Sequence, residues 1–271
     1  MKSAHASQQN TDMLAEWARS REVAAEAFNL VFNQPDEHLP LEEFWPSPLN
    51  IAPKQSGRIS VTHRIVLDST PIISSRQAFL RGVRPVSLKL DQPLLIHELH
   101  DVDAGLWMTD LPEELHQIAM MVREVKPRRR VLMGGLGLGL VAHFLARRPA
   151  VKEIVVVERS AHVIKLVKPH LPAGVRVVWD NIAQYLKTHR ASFDYYLLAT
   201  WQGTSESTWW GEVMPLKRII RRRWGARPIT HCWAEDIMAG QVLEKLASPR
   251  RNWLYEGLPP SMSAQEAAFF L

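Results

Sequence analysis

The sequence contains a single cysteine, Cys232, in 271 residues. One cysteine excludes an intrachain disulfide and suits a reducing compartment, so a cytoplasmic protein is expected. Cys232 lies in an apolar segment, which favours a buried, inert thiol. No apolar run approaches the roughly 20 residues that a membrane span requires, and the stretch from Met1 to Asn10 lacks the apolar core of a signal peptide. No membrane partner is expected. A large charge of either sign is also missing: the net charge is +5. The basic runs at Lys126 to Arg130, Lys217 to Arg223 and Arg250-Arg251 read as solvated helix ends and loops rather than as a nucleic-acid surface. Metal-ligand clusters are scarce too. His97 and His100 stand three residues apart with Asp101 and Asp103 nearby. In an extended segment that spacing does not align two side chains, so no metal site is expected. No internal repeat is present.

Apolar residues and tryptophans are plentiful. Hydrophobic residues make up 46% of the chain, enough for a sizeable core, and ten are tryptophan. Trp107, Trp179, Trp201, Trp209 and Trp210 fall where they either wall a pocket or fill the core. The pattern Met13, Leu14, Trp17, Ala24, Ala27, Phe28, Val31 predicts an amphipathic helix from Thr11. Prolines at 35, 40, 46, 48 and 53 make residues 34–57 an irregular connector. Alternation of Ile59, Val61, His63, Ile65 and Leu67 predicts a strand over 58–67. Asp68 to Pro71 reads as a turn, with further extended pieces from Ile72, at 86–90 and at 94–99. Residues 1–105 are thus expected to form an N-terminal helix and a small antiparallel β region.

The pattern changes beyond Gly105. Strands are expected at 130–134, 153–158, 175–179, 194–199 and 228–233. Helices are expected at 113–125, 138–146, 161–168, 182–188, 211–223 and 235–246. Strict alternation of strand and helix predicts a mostly parallel, doubly wound α/β sheet, assigned to a domain spanning 106–271.

The most specific feature is Val131 to Leu140. An apolar run ends in glycines at alternate positions, Gly135, Gly137 and Gly139, and a helix follows. Glycines there let a backbone approach a ligand closely. A second apolar run, Ile154 to Val157, ends in Glu158, placed to accept hydrogen bonds from ribose hydroxyls. Together these make a nucleotide-binding βαβ unit. The G-x-G-x-x-G spacing of dinucleotide enzymes fails in either frame, because Leu140 or Leu136 occupies a glycine position. G-x-G-x-G fits without a gap.

That spacing resembles the class I S-adenosylmethionine-dependent methyltransferases. Other parts follow in order: Glu158, then Val178-Trp179-Asp180-Asn181, then Phe193 to Leu198. The spermidine synthase-like branch, with its uncharacterised phage and bacterial members, is the nearest likeness. It is carried by Gly105 to Glu113, by the run from Val156 through Asp180 to Leu186, and by the β region preceding the Rossmann-like half. The resemblance implies a class I methyltransferase fold and S-adenosylmethionine as cofactor. It implies that Gly135, Gly137 and Gly139 cradle the cofactor, Glu158 binds its ribose, and Asp180 binds its adenine amine. Asn181 and Ile182 complete the adenine side, and a homodimer is compatible with the fold.

The chain departs from those families in three places, one of them the glycine loop itself, where aminopropyltransferases carry an acid and this chain has Leu136 and Leu138. Aminopropyltransferases carry acids directly after the fourth strand, where this chain has Leu198-Ala199-Thr200-Trp201-Gln202-Gly203. A carboxylate-free loop cannot orient and deprotonate an amine in the same way. Many methyltransferases place an acid two residues before the first glycine, where Met133 stands. Asp110 or Glu113 is the substitute expected near the methionine amino group. Thr200, Trp201 and Gln202 are the catalytic candidates. Trp209-Trp210 is expected to pack rather than stack on an acceptor, and Glu235-Asp236 to cap a helix. The expected function is methyl transfer to a small-molecule acceptor. The alternatives are aminopropyl transfer and a non-catalytic S-adenosylmethionine-binding protein, the latter favoured by Met133 and the apolar 199–201 loop.

Overall fold

Continuous apolar runs make strands that are buried on both faces, the condition of a parallel sheet covered by helices. The computed structural model describes residues 40–74, 78, 84–148, 151–235, 237–239 and 241–242. Five strands form its central sheet, of which β7, β8 and β10 are buried almost throughout: β7 (Arg130–Gly134), β8 (Glu153–Glu158), β9 (Val175–Trp179), β10 (Tyr195–Leu198) and β11 (Ile229–Cys232). Their order is β11-β10-β7-β8-β9, and every pairing is parallel. The chain therefore runs outward from β7 to one edge, returns, and runs out to the other. This is the Rossmann-like, doubly wound arrangement, with its switch point between β7 and β10.

Alternate residues of each strand enter different cores. Val131, Met133, Ile154, Val156, Tyr195 and Leu197 face one side. There they pack under α2 (Pro112–Arg123), α3 (Leu140–Arg147) and α4 (Ala161–Val167). Leu132, Val155, Val157, Tyr196 and Leu198 face the other side, under α5 (Ile182–Thr188) and α6 (Met214–Trp224). Leu132, Val155 and Val156 are fully buried. Each such side chain contributes roughly 1.5–3 kcal/mol through removal from water.

Before the parallel sheet lie α1 (Leu41–Phe44), β1 (Lys54–Ser56), β2 (Ile59–Val66), β3 (Ser69–Ile73), β4 (Val86–Lys89), β5 (Leu94–Asp101) and β6 (Gly105–Thr109). An antiparallel sheet runs β1-β2-β5-β6, and β3 pairs with β4 alone. Phe44, Ile51, Ile59, Val61 and Leu99 join the same core as α2 and α3. The two sheets thus share one hydrophobic interior, and the antiparallel sheet continues through Thr109, past residue 105.

Several local expectations change. Asp68 to Pro71 does not form a turn: β3 begins at Ser69, because pairing with β4 buries Thr70 and Ile73. The connector at 34–57 contains α1 and β1 within its described part. The helix expected from Gly211 begins at Met214, after a π-helical turn at Trp209–Val213. The helix expected over 11–31 lies outside the described residues, as does the end of the one expected over 235–246. No helix among the described residues is long and apolar enough to cross a membrane.

Candidate functional site

The glycine loop between β7 and α3 is shaped by close contact with the chain itself. Gly135 has φ +91°, and a Cβ there would come within 2.3 Å of the Ala199 carbonyl oxygen on the loop after β10. Gly137 has φ +52°, and a Cβ there would meet the Met108 sulfur at 2.4 Å. Both positions need a residue without a side chain, for backbone angle and for space. Gly139 caps the N-terminus of α3 in the left-handed conformation. The loop is pinned by Gly135 N–H donating to the Val157 carbonyl (2.9 Å) and Gly139 N–H donating to the Leu136 carbonyl (2.8 Å).

Glu158 ends β8 and is buried. Its Oε2 accepts from Leu136 N–H at 2.9 Å, and its Oε1 accepts from Ser160 N–H at 2.7 Å. One carboxylate therefore joins the glycine loop to the start of α4. On the next loop, Asp180 Oδ1 accepts from Asn181 N–H (2.7 Å). Asn181 Oδ1 caps α5 by accepting from Ala183 N–H (2.9 Å) and Gln184 N–H (3.3 Å).

These loops surround a cavity of about 370 Å³, within the range of small-molecule sites. It opens at the carboxyl ends of the strands, over the switch point. Gly135, Gly137 and Glu158 line one part, and Asn181, Ile182 and Ala183 line another. Thr200, Trp201 and Gln202, the catalytic candidates, line the wall beyond β10. Trp201 is buried, and its Nε1 donates to the Trp233 carbonyl at 3.3 Å. Met108, Glu114, Ile118 and Met121 close the side formed by β6 and α2.

Other expected residues point elsewhere. Asp110 is fully buried but turned into the antiparallel sheet. Its Oδ1 accepts from His97 N–H (2.6 Å), and its Oδ2 from Ser47 Oγ (2.5 Å) and the His97 ring (2.8 Å). His97 Nε2 accepts from Ile51 N–H (3.4 Å), which leaves Nδ1 as the donor to Asp110. Asp110 does not line the cavity, so its expected place at the cofactor is corrected: the fold uses it to tie residues 47 and 97 to the end of β6. Glu113 accepts from Ser74 N–H (3.2 Å) instead of facing the cavity. Asp180 stands beside the lining residue Asn181 but outside the lining. Gly139 lies behind the loop, against Leu171. Trp179 neither walls the pocket nor fills the core. It is 72% exposed, with Nε1 donating to the Arg159 carbonyl (3.0 Å). Trp209 is packed at 0% exposure, as expected for the hydrophobic start of a helix. Glu235 accepts from Cys232 N–H (3.0 Å) and pairs with Lys217.

Several lining residues were not singled out from the sequence, among them Met108, Glu114, Arg159 and Glu212. Met108 Sδ accepts from Leu138 N–H at 3.3 Å, a thioether laid on the glycine loop. Glu114, in the first turn of α2, lines the cavity where its neighbour Glu113 does not. Its Oε2 accepts from Thr109 N–H (2.8 Å) and Oγ1 (2.9 Å). Burial pushes its carboxyl up to about 7, reinforced by Asp110 and Glu113 and opposed by the Thr109 bonds. Glu212, in the π-helical turn, is also raised by burial and opposed by Arg159, which lines the same cavity. A helix step of about 100° per residue separates the directions of Glu113 and Glu114. The sequence reading singled out Glu113 of this pair, not Glu114.

No family model matches the chain, and no curated protein matches it. Among solved structures, the chain is similar to the SAH-bound methyltransferase PaMTH1 of Podospora anserina, with 20% identity and a TM-score of 0.36. That likeness covers 51% of this chain and 71% of the other. The spermidine synthase of Thermotoga maritima is similar at 14% identity and a TM-score of 0.38, over 73% of this chain and 70% of that one. A further likeness is Thermoplasma acidophilum 1320, at 16% identity and a TM-score of 0.27 over 31% of this chain. The chain spans about half the length of that last protein, 48%.

Proposed function

We propose that this chain binds S-adenosylmethionine and transfers its methyl group to a small-molecule acceptor. One observation carries the reading: the cavity at the β7/β10 switch point is floored by Gly135 and Gly137 and walled by the buried Glu158. The residues fit a nucleoside-bearing cation. A flat base suits the apolar faces of Val157, Ile182 and Ala183, ribose hydroxyls suit Glu158, and positive charge suits the cavity carboxylates. In this reading Asp180 reaches the adenine amine by releasing Asn181 N–H. Asn181 holds the start of α5, and with it Ile182, in place.

The cofactor supplies a methyl group already activated on a sulfonium. What remains for the protein is placement and exclusion of water. Trp201, held by Trp233, and the side chains of Thr200 and Gln202 form the wall against which an acceptor is positioned. A second reading, aminopropyl transfer, is supported by Glu114 and Glu212. They bring carboxylates into the cavity that the loop after β10 lacks.

The test is calorimetric titration with S-adenosylmethionine, its demethylated product, decarboxylated S-adenosylmethionine and NAD. Saturable binding of the first two is expected, weakened at least tenfold by Glu158→Ala. Preference for the decarboxylated form would move the assignment to aminopropyl transfer. Binding of NAD alone would overturn it.

A further inference from the structure

In a doubly wound sheet all strands start on one edge, and the helices that return the chain end there. The edge opposite the cavity is therefore built from the ends of α2 to α6 and the starts of β7 to β11. Hydrogen bonds tie these connections into one surface. Arg148 Nη2 donates to the Arg123 and Val125 carbonyls (3.0 and 3.3 Å), and Lys152 N–H to the Arg129 carbonyl (2.9 Å). Asp194 N–H donates to the Arg130 carbonyl, and Ile229 N–H to the Asp194 carbonyl, both at 2.9 Å. Arg223 Nη2 donates to the His189 carbonyl at 3.0 Å. Taken one run at a time, the basic residues are solvated helix ends. The fold gathers them on a single face.

That face holds more positive charge than the fold consumes. Arg128, Lys152, Lys187, Arg190, Arg222 and Arg227 are exposed, and their side chains have no partner among the described residues. The described carboxylates on these connections and strand starts are Glu124, Glu153 and Asp194. Glu153 is taken up by Arg130 (2.7 Å) and Arg176 (3.4 Å), and Asp194 by Arg129 (3.4 Å). A helix C-terminus carries only about half a negative charge, so the helix ends gathered here do not balance the surplus. Arg128 stands in a left-handed backbone, φ +61°, where glycine would be unstrained.

The surroundings of that charge select the partner. Most of the groups are guanidiniums, which pair with phosphate through two parallel hydrogen bonds. No exposed Trp, Tyr or Phe stands among them in the described residues, so single-stranded bases find no stacking platform. Ile229, 43% exposed, is the exposed large apolar side chain on this edge, too little to enter a lipid surface. Duplex RNA is recognised largely through its 2′-hydroxyls, and Glu153 and Asp194, acceptors for such a group, are spent on arginines. The sheet edge is about 19 Å across at about 4.8 Å per strand spacing. B-form DNA carries one charge per about 1.7 Å of axis, so about ten phosphates lie within that span. We infer that the face at the amino ends of β7 to β11 binds double-stranded DNA through its phosphates, without reading sequence, while the cavity on the opposite edge stays open. This goes beyond the proposed function and does not rest on it.

The test is fluorescence anisotropy of a labelled DNA duplex of about 20 base pairs, titrated with the full chain from about 50 to about 300 mM NaCl. Saturable binding is expected, with a log–log salt slope of about −4, as for four to five phosphate contacts. The triple variant Lys152→Glu, Arg190→Glu, Arg227→Glu should bind at least tenfold more weakly. A charge-matched triple on the antiparallel region, Lys54→Glu, Arg84→Glu, Lys89→Glu, should lose less than threefold. Arg128→Gly should weaken binding with a Tm no lower than wild type, which separates lost contact from lost fold. Absence of binding at the lowest salt, or equal loss in the two triples, would overturn the inference. So would tighter binding of single-stranded DNA, of an RNA duplex of the same length, or of phosphatidylserine–phosphatidylcholine vesicles. Competition between the DNA and S-adenosylhomocysteine would place the duplex over the cavity and overturn the assignment to this face.

Discussion

Gly135, Gly137 and Gly174 share a left-handed backbone, yet their surroundings differ in a way that ranks them. At Gly135 the blocking atom is the Ala199 carbonyl, which moves only if the end of β10 moves. At Gly137 it is the sulfur of a flexible methionine. At Gly174 an added Cβ would meet nothing within 4 Å. Alanine at Gly174 should therefore cost only backbone strain, about 1 kcal/mol. Gly137→Ala should cost more, about 2 kcal/mol, as Met108 leaves Leu138 N–H. Gly135→Ala should cost most, on the order of 3 kcal/mol or more. Urea denaturation of the three variants checks the order. Equal losses at Gly135 and Gly174 would mean that the loop does not press on β10. This ranking also alters the meaning of the motif. In the sequence, the alternate glycines read as room for a ligand. In the fold they are first room for Ala199 and Met108, and the cavity floor is what that packing leaves.

At the scale of elements, α2 carries the most informative contrast. Its first turn holds Glu113 and Glu114. One is spent on Ser74 and the other lines the cavity. The second is titratable in a useful range. Its folded pKa, about 7, lies above the ordinary 4.5 because burial penalises the charge. For a raised carboxyl, the stabilising contribution is complete below the unfolded value and is lost as pH rises through the folded one. Through Glu114, stability should therefore decline between about pH 4.5 and 7, with Glu212 adding in the same direction and His143 and His231, both lowered by burial, opposing it. Glu114→Gln removes the charge while keeping an oxygen for Thr109. It should flatten that decline and stabilise the fold at pH 8 by on the order of 2 kcal/mol. Chemical denaturation across this range measures it, and a variant less stable than wild type at pH 8 would refute the burial argument. The same helix shows what the sequence could convey. β7, β8, β9 and α5 span the residues read from the sequence, because the strands are mostly apolar and the polar pair Asp180-Asn181 separates β9 from the helix that follows. β3 was hidden, since Asp-Ser-Thr-Pro is turn chemistry and only pairing with β4 makes it a strand. β6 was hidden because Gly105 to Thr109 has no alternation of its own. Glu114 was hidden because acids opening a helix look like capping until the direction of each is known.

The whole molecule turns on whether the two sheets are separable. A break at residue 105 looks natural in the sequence, where strand-rich pattern gives way to strand–helix alternation. The structure joins the halves three ways. β6 begins at residue 105, runs four residues past it and pairs with β5. Phe44, Ile51, Ile59, Val61 and Leu99 bury the same interior as Leu115, Ile118 and Val122 of α2. Asp110, the residue the motif assigned to the cofactor, instead bonds Ser47 and His97 across that seam. A fragment of residues 106–271 would expose α2 along its apolar stripe, leave β6 unpaired and bury Asp110 against nothing. Five core side chains lost at roughly 1.5–3 kcal/mol each exceed the net stability of most domains. The fragment should accordingly show no cooperative thermal transition and rapid proteolysis around α2, while the full chain resists under the same conditions. It should also lose the cavity, because Leu99 forms one wall from the far side of the cut. A fragment that unfolded cooperatively near the full chain's midpoint would show that the parallel sheet carries its own core. The antiparallel sheet would then be an attachment, and the cavity would need a different account of the side on which Glu114 stands.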